Sequence, residues 1–258
     1  MLFDSHMHCE YSCDSTMTLV QAVAAARQAK VGMIVTEHWD RDYPTNPSAF
    51  EFDLEDYFRK FTPYRSASVL LGIEVGMQEH TAQADEAMLA TYPFDCVIAS
   101  LHCMNKRDFY QKSCYQGQTK AAAVAEYLEA SLANLRLYHN FDTYGHLDYI
   151  SRYMPYEDTE LYYEEFPQLW DEVFTLLSKE HKALEINTRR LDLPQAVKAL
   201  TVLYRRFAQL GGRYVTLGSD AHYTEHIARR LDVARHLAAT NNLIPVYFEQ
   251  RKMIKMED

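Results

Sequence analysis

The strongest constraint on the fold is a change of apolar periodicity that recurs along the whole chain. Short β-like apolar runs alternate with longer stretches in which the apolar residues follow helical spacing. The predicted strands are residues 2–6, 33–37, 69–74, 95–100, 143–147, 183–187 and 214–218. The predicted helices are residues 19–30, 54–64, 82–91, 120–138, 161–180, 195–210 and 225–240. Strands that alternate with helices of about ten or more residues form βα units, which predict a mostly parallel sheet.

Seven such units favour a closed barrel over two separate domains. No Gly-, Ser- or Pro-rich linker, low-complexity run or short repeat divides the 258 residues. We therefore expect an α/β fold in one domain over residues 1–258. Residues 39–52 and 103–118 are predicted to form long loops on one rim, and loops of that length are uncommon unless they serve a site.

Histidines and carboxylates occur where the predicted strands end. His6 and His8, two positions apart on an extended backbone, point to the same face and can reach one metal ion. The other strand-end candidates are Glu37, His38, Glu74, His102, His146, Asp220 and His222. Taken singly, each of these side chains has a structural explanation. In a parallel barrel, however, every strand opens its carboxyl end on the same face, so the set converges there and predicts a metal centre.

The composition narrows the function. A formal net charge of −10 argues against a protein that binds long nucleic acid. It does not exclude a small phosphorylated ligand, because bound cations and a few arginines can reverse the sign locally. Five cysteines without CxxC spacing indicate free thiols in a reducing compartment. The sequence shows no signal peptide or membrane span, so we expect a cytoplasmic protein that does not bind membranes.

Three common motifs are absent from the sequence. Without GxGxxG or GxxxxGK[ST], the usual nucleotide-binding sites of α/β proteins have no sequence support. Without GxSxG, the usual serine-hydrolase site has none either.

The ordered motifs resemble those of the PHP (polymerase and histidinol phosphatase) superfamily. They are His6-Met7-His8 with Ser12 and Asp14, Thr36-Glu37-His38, Gly72-Ile73-Glu74, Ser100-Leu101-His102, Gly145-His146-Leu147-Asp148 and Ser219-Asp220-Ala221-His222. Residues 184–188 and the chain length most resemble those of stand-alone histidinol-phosphate phosphatases. The resemblance spans roughly residues 1–245. It implies a distorted (β/α)7 barrel, similar to a TIM barrel, with metal ions at the C-terminal ends of its strands.

The resemblance also implies three divalent ions and a ligand set for each, in which Glu74 bridges the first two ions. The sets are His6, His8, Glu74 and Asp220 for the first ion, Glu74, His102 and His146 for the second, and Asp14, His38 and His222 for the third. Family members use zinc, iron or manganese, and mixed nitrogen and oxygen ligands accommodate all three metals. Every expected ligand position is filled, which is typical of a catalytic member.

The hypothesis for the reaction is hydrolysis of a phosphate monoester. A metal-bridging hydroxide attacks phosphorus in line and releases an alcohol and inorganic phosphate. A metal-bound water, Asp220 or His222 protonates the leaving oxygen, and the sequence leaves these alternatives open. Arg152, Arg189 and Arg190 follow strand ends on the same rim, and a planar guanidinium suits phosphate. The resemblance favours arginines in these segments, but only one of the adjacent pair is expected to point inward.

The expected substrate is L-histidinol phosphate, hydrolysed to L-histidinol and phosphate in histidine biosynthesis. An alternative within the same class is a PHP phosphoesterase that acts on nucleotides, oligonucleotide 5′ ends or sugar phosphates. An alternative of another class is a non-catalytic metal-binding regulatory module. The residues that choose between phosphate esters lie on the rim loops, whose conformation the sequence does not predict.

Overall fold

A mostly parallel sheet forms the centre of the protein, and the computed structural model describes residues 1–256. In chain order the strands are β1 (Phe3–Asp4), β2 (Gly32–Trp39), β3 (Val69–Gly76), β4 (Val97–Ser100), β5 (Cys103–Met104), β6 (Arg107–Asp108), β7 (Thr143–Tyr144), β8 (Ala183–Asn187), β9 (Tyr214–Gly218), β10 (Ile244–Glu249) and β11 (Lys252–Lys255). β5 pairs with β6, and the other strands form one sheet in the order β1-β2-β3-β4-β7-β8-β9-β10-β11. Every neighbouring pair from β1 to β10 is parallel, whereas β10 and β11 are antiparallel.

The sheet closes on itself through the segment that follows β1. Ser5 N donates a hydrogen bond to Leu217 O at 2.8 Å, and His8 N donates to Ala221 O at 2.8 Å. β9 therefore pairs with β10 at its start and with the chain after β1 at its end. This divided pairing closes a distorted barrel and confirms the predicted α/β barrel.

Within residues 1–256, three of the helices begin with a side-chain cap. The helices are α1 (Leu19–Ala29), α2 (Leu54–Phe61), α3 (Ala82–Thr91), α4 (Lys120–Leu135), α5 (Pro167–Lys179), α6 (Pro194–Gln209) and α7 (Leu231–Thr240). At the start of α1, Thr18 Oγ1 accepts from Gln21 N at 3.3 Å, and the Gln21 side chain accepts from Thr18 N at 2.8 Å. Asp53 and Thr119 cap α2 and α4 with their side chains. Within residues 1–256, no helix has both the length and the apolar character that crossing a membrane requires.

The observed elements differ from the predicted ones mainly at their ends. Helix α5 begins at Pro167 rather than at residue 161, because proline lacks an N–H and is favoured in the first turn of a helix. Helix α7 begins at Leu231 rather than at residue 225. The predicted 103–118 loop contains the small hairpin β5–β6, and the C-terminal hairpin β10–β11 lies beyond the predicted elements.

Apolar side chains fill the space between the helices and the barrel. Every residue of β2 and β3 is buried. Trp170 and Phe174 of α5 are fully buried with ring centroids 5.5 Å apart, and Phe207 of α6 packs against Phe174. Burying a side chain of this kind contributes roughly 1.5–3 kcal/mol. This packing fixes the strands whose carboxyl ends carry the polar residues described next.

Candidate metal centre

The side chains predicted as metal ligands meet at the carboxyl end of the barrel. They come from the segment after β1, from the ends of β2 and β3, and from the segments after β4, β7 and β9. In chain order they are His6, His8, Asp14, His38, Glu74, His102, His146, Asp220 and His222. All of them except Asp14 are buried, and we refer to this set as the His/Asp/Glu cluster.

Glu74 lies in the middle of the cluster. Its Oε2 atom is 2.9 Å from His38 Nδ1, 3.3 Å from His6 Nε2 and 3.5 Å from His8 Nε2. Glu74 belongs to β3, which lies beside β2, so the sheet itself places Glu74 next to His38. One carboxylate oxygen thus faces three imidazoles.

The second oxygen of Glu74 faces the opposite side of the cluster. Glu74 Oε1 is 2.8 Å from His146 Nε2 and 3.3 Å from His102 Nε2. It also accepts a hydrogen bond from Ser100 Oγ at 2.6 Å. With its two oxygens directed at different groups of histidines, this carboxylate is placed to bridge two cations.

Carboxylates outside the predicted ligand set orient the histidines. His6 Nδ1 lies 2.6 Å from Glu185 Oε1, and His102 Nδ1 lies 2.7 Å from Asp40 Oδ1. Each contact leaves Nε2 of the ring directed at the cluster, as in carboxylate–histidine–metal arrangements. Gly218 permits the first of them, because a Cβ atom at this position would lie 2.3 Å from Glu185 Oε1.

A further group lies toward solvent. Asp14 Oδ2 is 3.1 Å from His222 Nε2 and 3.6 Å from His38 Nε2. The ring centroids of His8 and His38 are 4.0 Å apart, and those of His8 and His222 are 4.3 Å apart. His8 therefore joins this group to the one around Glu74, and the whole cluster is continuous.

The unpaired atoms of the cluster fit bound metal ions. Among the described residues, His146 Nδ1 is buried without a hydrogen-bond partner, and Glu74 Oε2 and His38 Nδ1 are buried 2.9 Å apart without the geometry of a hydrogen bond. Nε2 of His6 and Nε2 of His8 face each other at 3.1 Å, a spacing suited to one shared cation. Within residues 1–256, four sets of three residues have ligand atoms that lie within 4.8 Å of one another. They are His8, His38 and His222; His6, His8 and Glu74; His6, His146 and Asp220; and His38, Glu74 and His102. The cluster can therefore hold several ions.

Burial and neighbouring charges set the protonation states of the cluster. Burial acts to raise the pKa of the Glu74 carboxyl, but the imidazoles of His6 and His102 outweigh it and hold this pKa well below its usual range. Burial and the neighbouring His38 both lower the pKa of His8 well below its usual range. At neutral pH, Glu74 is therefore ionised and His8 neutral, which are the forms that bind metal ions.

Asp220 connects the cluster to two arginines. Arg152 Nη1 donates to Asp220 Oδ2 at 2.7 Å, and Arg152 Nη2 donates to Asn187 Oδ1 at 3.1 Å. Arg189 Nη1 donates to the main-chain oxygen of Asp220 at 3.1 Å. Asp220 has φ 54°, a left-handed conformation that residues other than glycine seldom adopt. The turn after β9 is therefore held in an uncommon conformation at the point where it supplies the cluster.

Only one of the two adjacent arginines faces the cluster. Arg152 and Arg189 line a cavity of about 180 Å³ next to it. Arg190 takes a different place from the predicted one: its Nη1 atom donates to Asp148 Oδ2 at 2.8 Å, and its Nη2 atom donates to Glu160 Oε1 at 2.7 Å. These two buried carboxylates bind the guanidinium outside the cavity, so the inward residue of the pair is Arg189.

The sequence patterns do not predict the supporting roles of Glu37 and Glu185. Glu37, a strand-end candidate, accepts hydrogen bonds from Ser12 Oγ at 2.5 Å and Cys9 N at 2.9 Å. It thereby holds the loop after β1 rather than facing Glu74. Glu185 lies inside a predicted apolar strand. Its position there could have indicated a role in the site, because a buried carboxylate requires a polar partner.

The chain is similar to known proteins over nearly its whole length. The family model of the PHP domain matches residues 4–189. A probable histidinol-phosphatase of Clostridium acetobutylicum is 40% identical over 98% of this chain and 99% of that protein. The histidinol-phosphatase of Lactococcus lactis subsp. lactis is 31% identical over 92% of this chain and 88% of that protein.

A solved structure has the same architecture. It is the crystal structure of histidinol phosphate phosphatase from Lactococcus lactis subsp. lactis complexed with zinc, L-histidinol and phosphate. It matches with a TM-score of 0.92 and 30% sequence identity, covering 98% of this chain and 99% of that chain. The match confirms the predicted distorted, TIM-barrel-like fold. On these findings, the chain belongs to the PHP domain family.

Proposed function

We propose that this protein is a metal-dependent phosphomonoesterase that hydrolyses L-histidinol phosphate to L-histidinol and inorganic phosphate. The observation that carries the proposal is the cavity in which Arg152 and Arg189 face the His/Asp/Glu cluster. One small cavity lined both by two guanidinium groups and by a cluster that can hold cations suits a phosphoryl group. Relatives named histidinol-phosphatase and a structural neighbour complexed with zinc, L-histidinol and phosphate support the reaction and the substrate.

We propose three metal sites in the cluster, with Glu74 bridging two of them. The proposed sets are His6, His8, Glu74 and Asp220; Glu74, His102 and His146; and Asp14, His38 and His222. The opposed directions of the two Glu74 oxygens support the bridge, and the Asp14 contacts with two histidines support the third set. Zinc is supported by the structural neighbour, and the mixed ligands also suit iron and manganese. When bound, the ions would offset charge on the phosphoryl oxygens and bring the pKa of a water molecule toward neutrality.

The chain itself would bind the phosphoryl group and move a proton. Arg152 and Arg189 line the cavity beside the cluster and donate to the phosphoryl oxygens there. Arg152 also keeps Asp220 ionised, because its guanidinium lies 2.7 Å from Oδ2. An ionised Asp220 accepts a proton from the attacking water and delivers it to the leaving oxygen. Asn187 fixes the arginine for both tasks through its contact with Nη2.

The proposed catalytic domain is the whole chain, residues 1–258. The family match ends at residue 189, but Asp220 and His222 lie beyond it in the segment after β9. That segment hydrogen-bonds to the chain after β1, since Asp220 N donates to His6 O at 2.8 Å. The C-terminal quarter of the chain is therefore needed to complete the cluster.

We further propose a cytoplasmic enzyme of histidine biosynthesis. All five cysteines are unpaired, and four of them are buried, as is usual in a reducing compartment. The relatives named histidinol-phosphatase support the pathway.

A phosphate-release assay on metal-reconstituted protein tests the proposal. L-Histidinol phosphate, AMP and glucose 6-phosphate are compared with zinc, iron and manganese, and we expect the highest kcat/KM for L-histidinol phosphate. His8→Ala and Asp220→Ala should abolish turnover, whereas His139→Ala, at an exposed position, should not. If another ester has the highest kcat/KM, the proposed substrate is wrong, whereas the proposed reaction class is retained. No hydrolysis with any metal would favour the regulatory module instead.

A further inference from the structure

A second cavity adjoins the one that Arg152 and Arg189 line. Its volume is about 510 Å³. Its lining includes residues that also line the first cavity, namely Asp14, His38, His102, Tyr149 and Tyr153. A phosphate ester whose phosphoryl group lies between the arginines and the His/Asp/Glu cluster can therefore place its alcohol part in this second cavity.

The second cavity is aromatic and acidic. Tyr43, Phe50 and Tyr110 contribute ring surfaces, and Asp40 and Asp108 contribute carboxylates. Within residues 1–256, no lysine or arginine lines it. Aromatic faces next to carboxylates favour a ligand that is both flat and positively charged.

Among the carboxylates that line this cavity, Asp108 is the one that faces no cation within residues 1–256. Asp14 and Asp40 already face histidines of the cluster. Asp108 lies in β6 and is only 5% exposed; its Oδ1 atom accepts from Tyr110 N at 2.8 Å. Burial and the neighbouring carboxylates of Asp108 and Asp40 raise the pKa of Tyr43, so its phenol stays protonated beside Asp108.

Within the described part of the chain, Asp108 forms no ion pair with a lysine, arginine or histidine. A buried carboxylate without a positive partner binds a cationic group of a ligand favourably. The hairpin that carries Asp108 starts directly after His102, and Phe109 N donates to His102 O at 3.4 Å. Asp108 is thus tied to the cluster by one short segment.

We propose that Asp108 binds an ammonium group on the alcohol part of the substrate, while Tyr43, Phe50 and Tyr110 pack against its ring. The inference rests on the proposed phosphatase function and names the class of ester that the site selects. That class is a phosphate monoester of an amino alcohol that carries a flat polar ring. L-Histidinol phosphate belongs to this class.

The test is Asp108→Asn, which removes the charge and keeps the shape of the side chain. Zinc-loaded protein is assayed with L-histidinol phosphate and with p-nitrophenyl phosphate, which has no ammonium group. We expect kcat/KM for L-histidinol phosphate to fall about 10- to 100-fold, mainly through KM. Turnover of p-nitrophenyl phosphate should change less than about twofold. Glu129→Gln, on the exposed side of α4, is the matched control and should change neither.

A second variant, Ala49→Trp, fills the same cavity without changing Asp108 and should lower kcat/KM for L-histidinol phosphate much more than for methyl phosphate, whose alcohol part is too small to enter this cavity. This comparison decides if Asp108→Asn does not fold, as judged by circular dichroism and zinc content. Equal losses for the two esters compared in a variant, or unchanged selectivity in both variants, would overturn the subsite while the wild type still prefers L-histidinol phosphate. A wild type without that preference would overturn the proposed substrate together with the subsite.

Discussion

Arg190 and Asp148 form a buried ion pair, with Nη1 2.8 Å from Oδ2, that joins two segments of the site. Asp148 precedes the short 3-10 helix Tyr149–Arg152, whose last residue lines the cavity next to the His/Asp/Glu cluster. Arg190 directly follows Arg189, which faces the same cavity. Glu160 adds a second contact to Arg190 at 2.7 Å. The guanidinium that stays outside the cavity therefore positions the two that line it.

We predict that Arg190→Met weakens both the fold and substrate binding. Two buried carboxylates lose their cation, so the free energy of unfolding should fall by about 3–5 kcal/mol, as measured by urea denaturation. Because the cavity arginines shift, kcat/KM should fall about 10- to 100-fold, and inorganic phosphate should inhibit more weakly. Arg190→Lys keeps a cation between the two carboxylates and should restore part of the free energy of unfolding and part of kcat/KM. Wild-type kinetics in a folded Arg190→Met protein would contradict the positioning role.

The two cavity arginines should differ in their effect on turnover. Arg152 contacts Asp220 as well as the cavity, so Arg152→Ala should lower kcat/KM by about 100- to 1000-fold with a fall in kcat. Arg189→Ala removes a cavity cation without removing that contact and should mainly raise KM, by about tenfold. Steady-state kinetics with a phosphate monoester measure both, and Arg27→Ala on the exposed side of α1 is the control. Unchanged KM and kcat in Arg152→Ala would remove this residue from the site.

The convergence of the cluster could be predicted because it follows from local pattern and one topological rule. His6 and His8 lie two positions apart after an apolar run, and Glu74 and Asp220 end or follow similar runs. Parallel strands bring such ends to one face whatever their separation in sequence. The apolar runs are sufficient to locate these strand ends, since the buried strands β2 and β3 match the predicted strands closely.

The partners of these residues could not be predicted, because they depend on distances that the sequence does not contain. Arg189 and Arg190 are neighbours of the same type, and only the positions of Asp148 and Glu160 decide which one turns away. Asp108 lay in a segment predicted to be a loop, and its place in the second cavity depends on the β5–β6 hairpin. Both outcomes are set by tertiary contacts.

Glu185 should control metal affinity without contacting the substrate. Its carboxylate accepts from His146 N at 2.6 Å and lies 2.6 Å from His6 Nδ1. Glu185→Gln weakens the contact that orients His6, and zinc affinity should fall about 10- to 100-fold, as measured by competition with a chelator. Glu180→Gln, a surface carboxylate beside His139, is the control. Wild-type zinc affinity in folded Glu185→Gln would show that the orientation of His6 does not depend on this carboxylate.

Metal binding should release protons, and its affinity should fall as the pH falls. Burial acts to lower the pKa of His102, but Asp40 and Glu74 outweigh it and raise this pKa to about 9 in the metal-free protein. The same balance of burial and facing carboxylates raises the pKa of His6 and His38. These histidines are therefore protonated at pH 7, whereas a metal ligand must be neutral, so each bound ion displaces protons.

Calorimetric titration of chelator-treated protein with zinc measures this release. The apparent enthalpy should differ between two buffers of unequal ionisation enthalpy at pH 7, because the buffer takes up the displaced protons. Affinity should rise from pH 6 through pH 9, because the fraction of His102 that carries a proton before zinc binds falls to about half near pH 9. Removal of the exposed His139 by His139→Gln should leave the number of released protons unchanged. Equal enthalpies in the two buffers would show that the histidines of the cluster are already neutral when zinc binds.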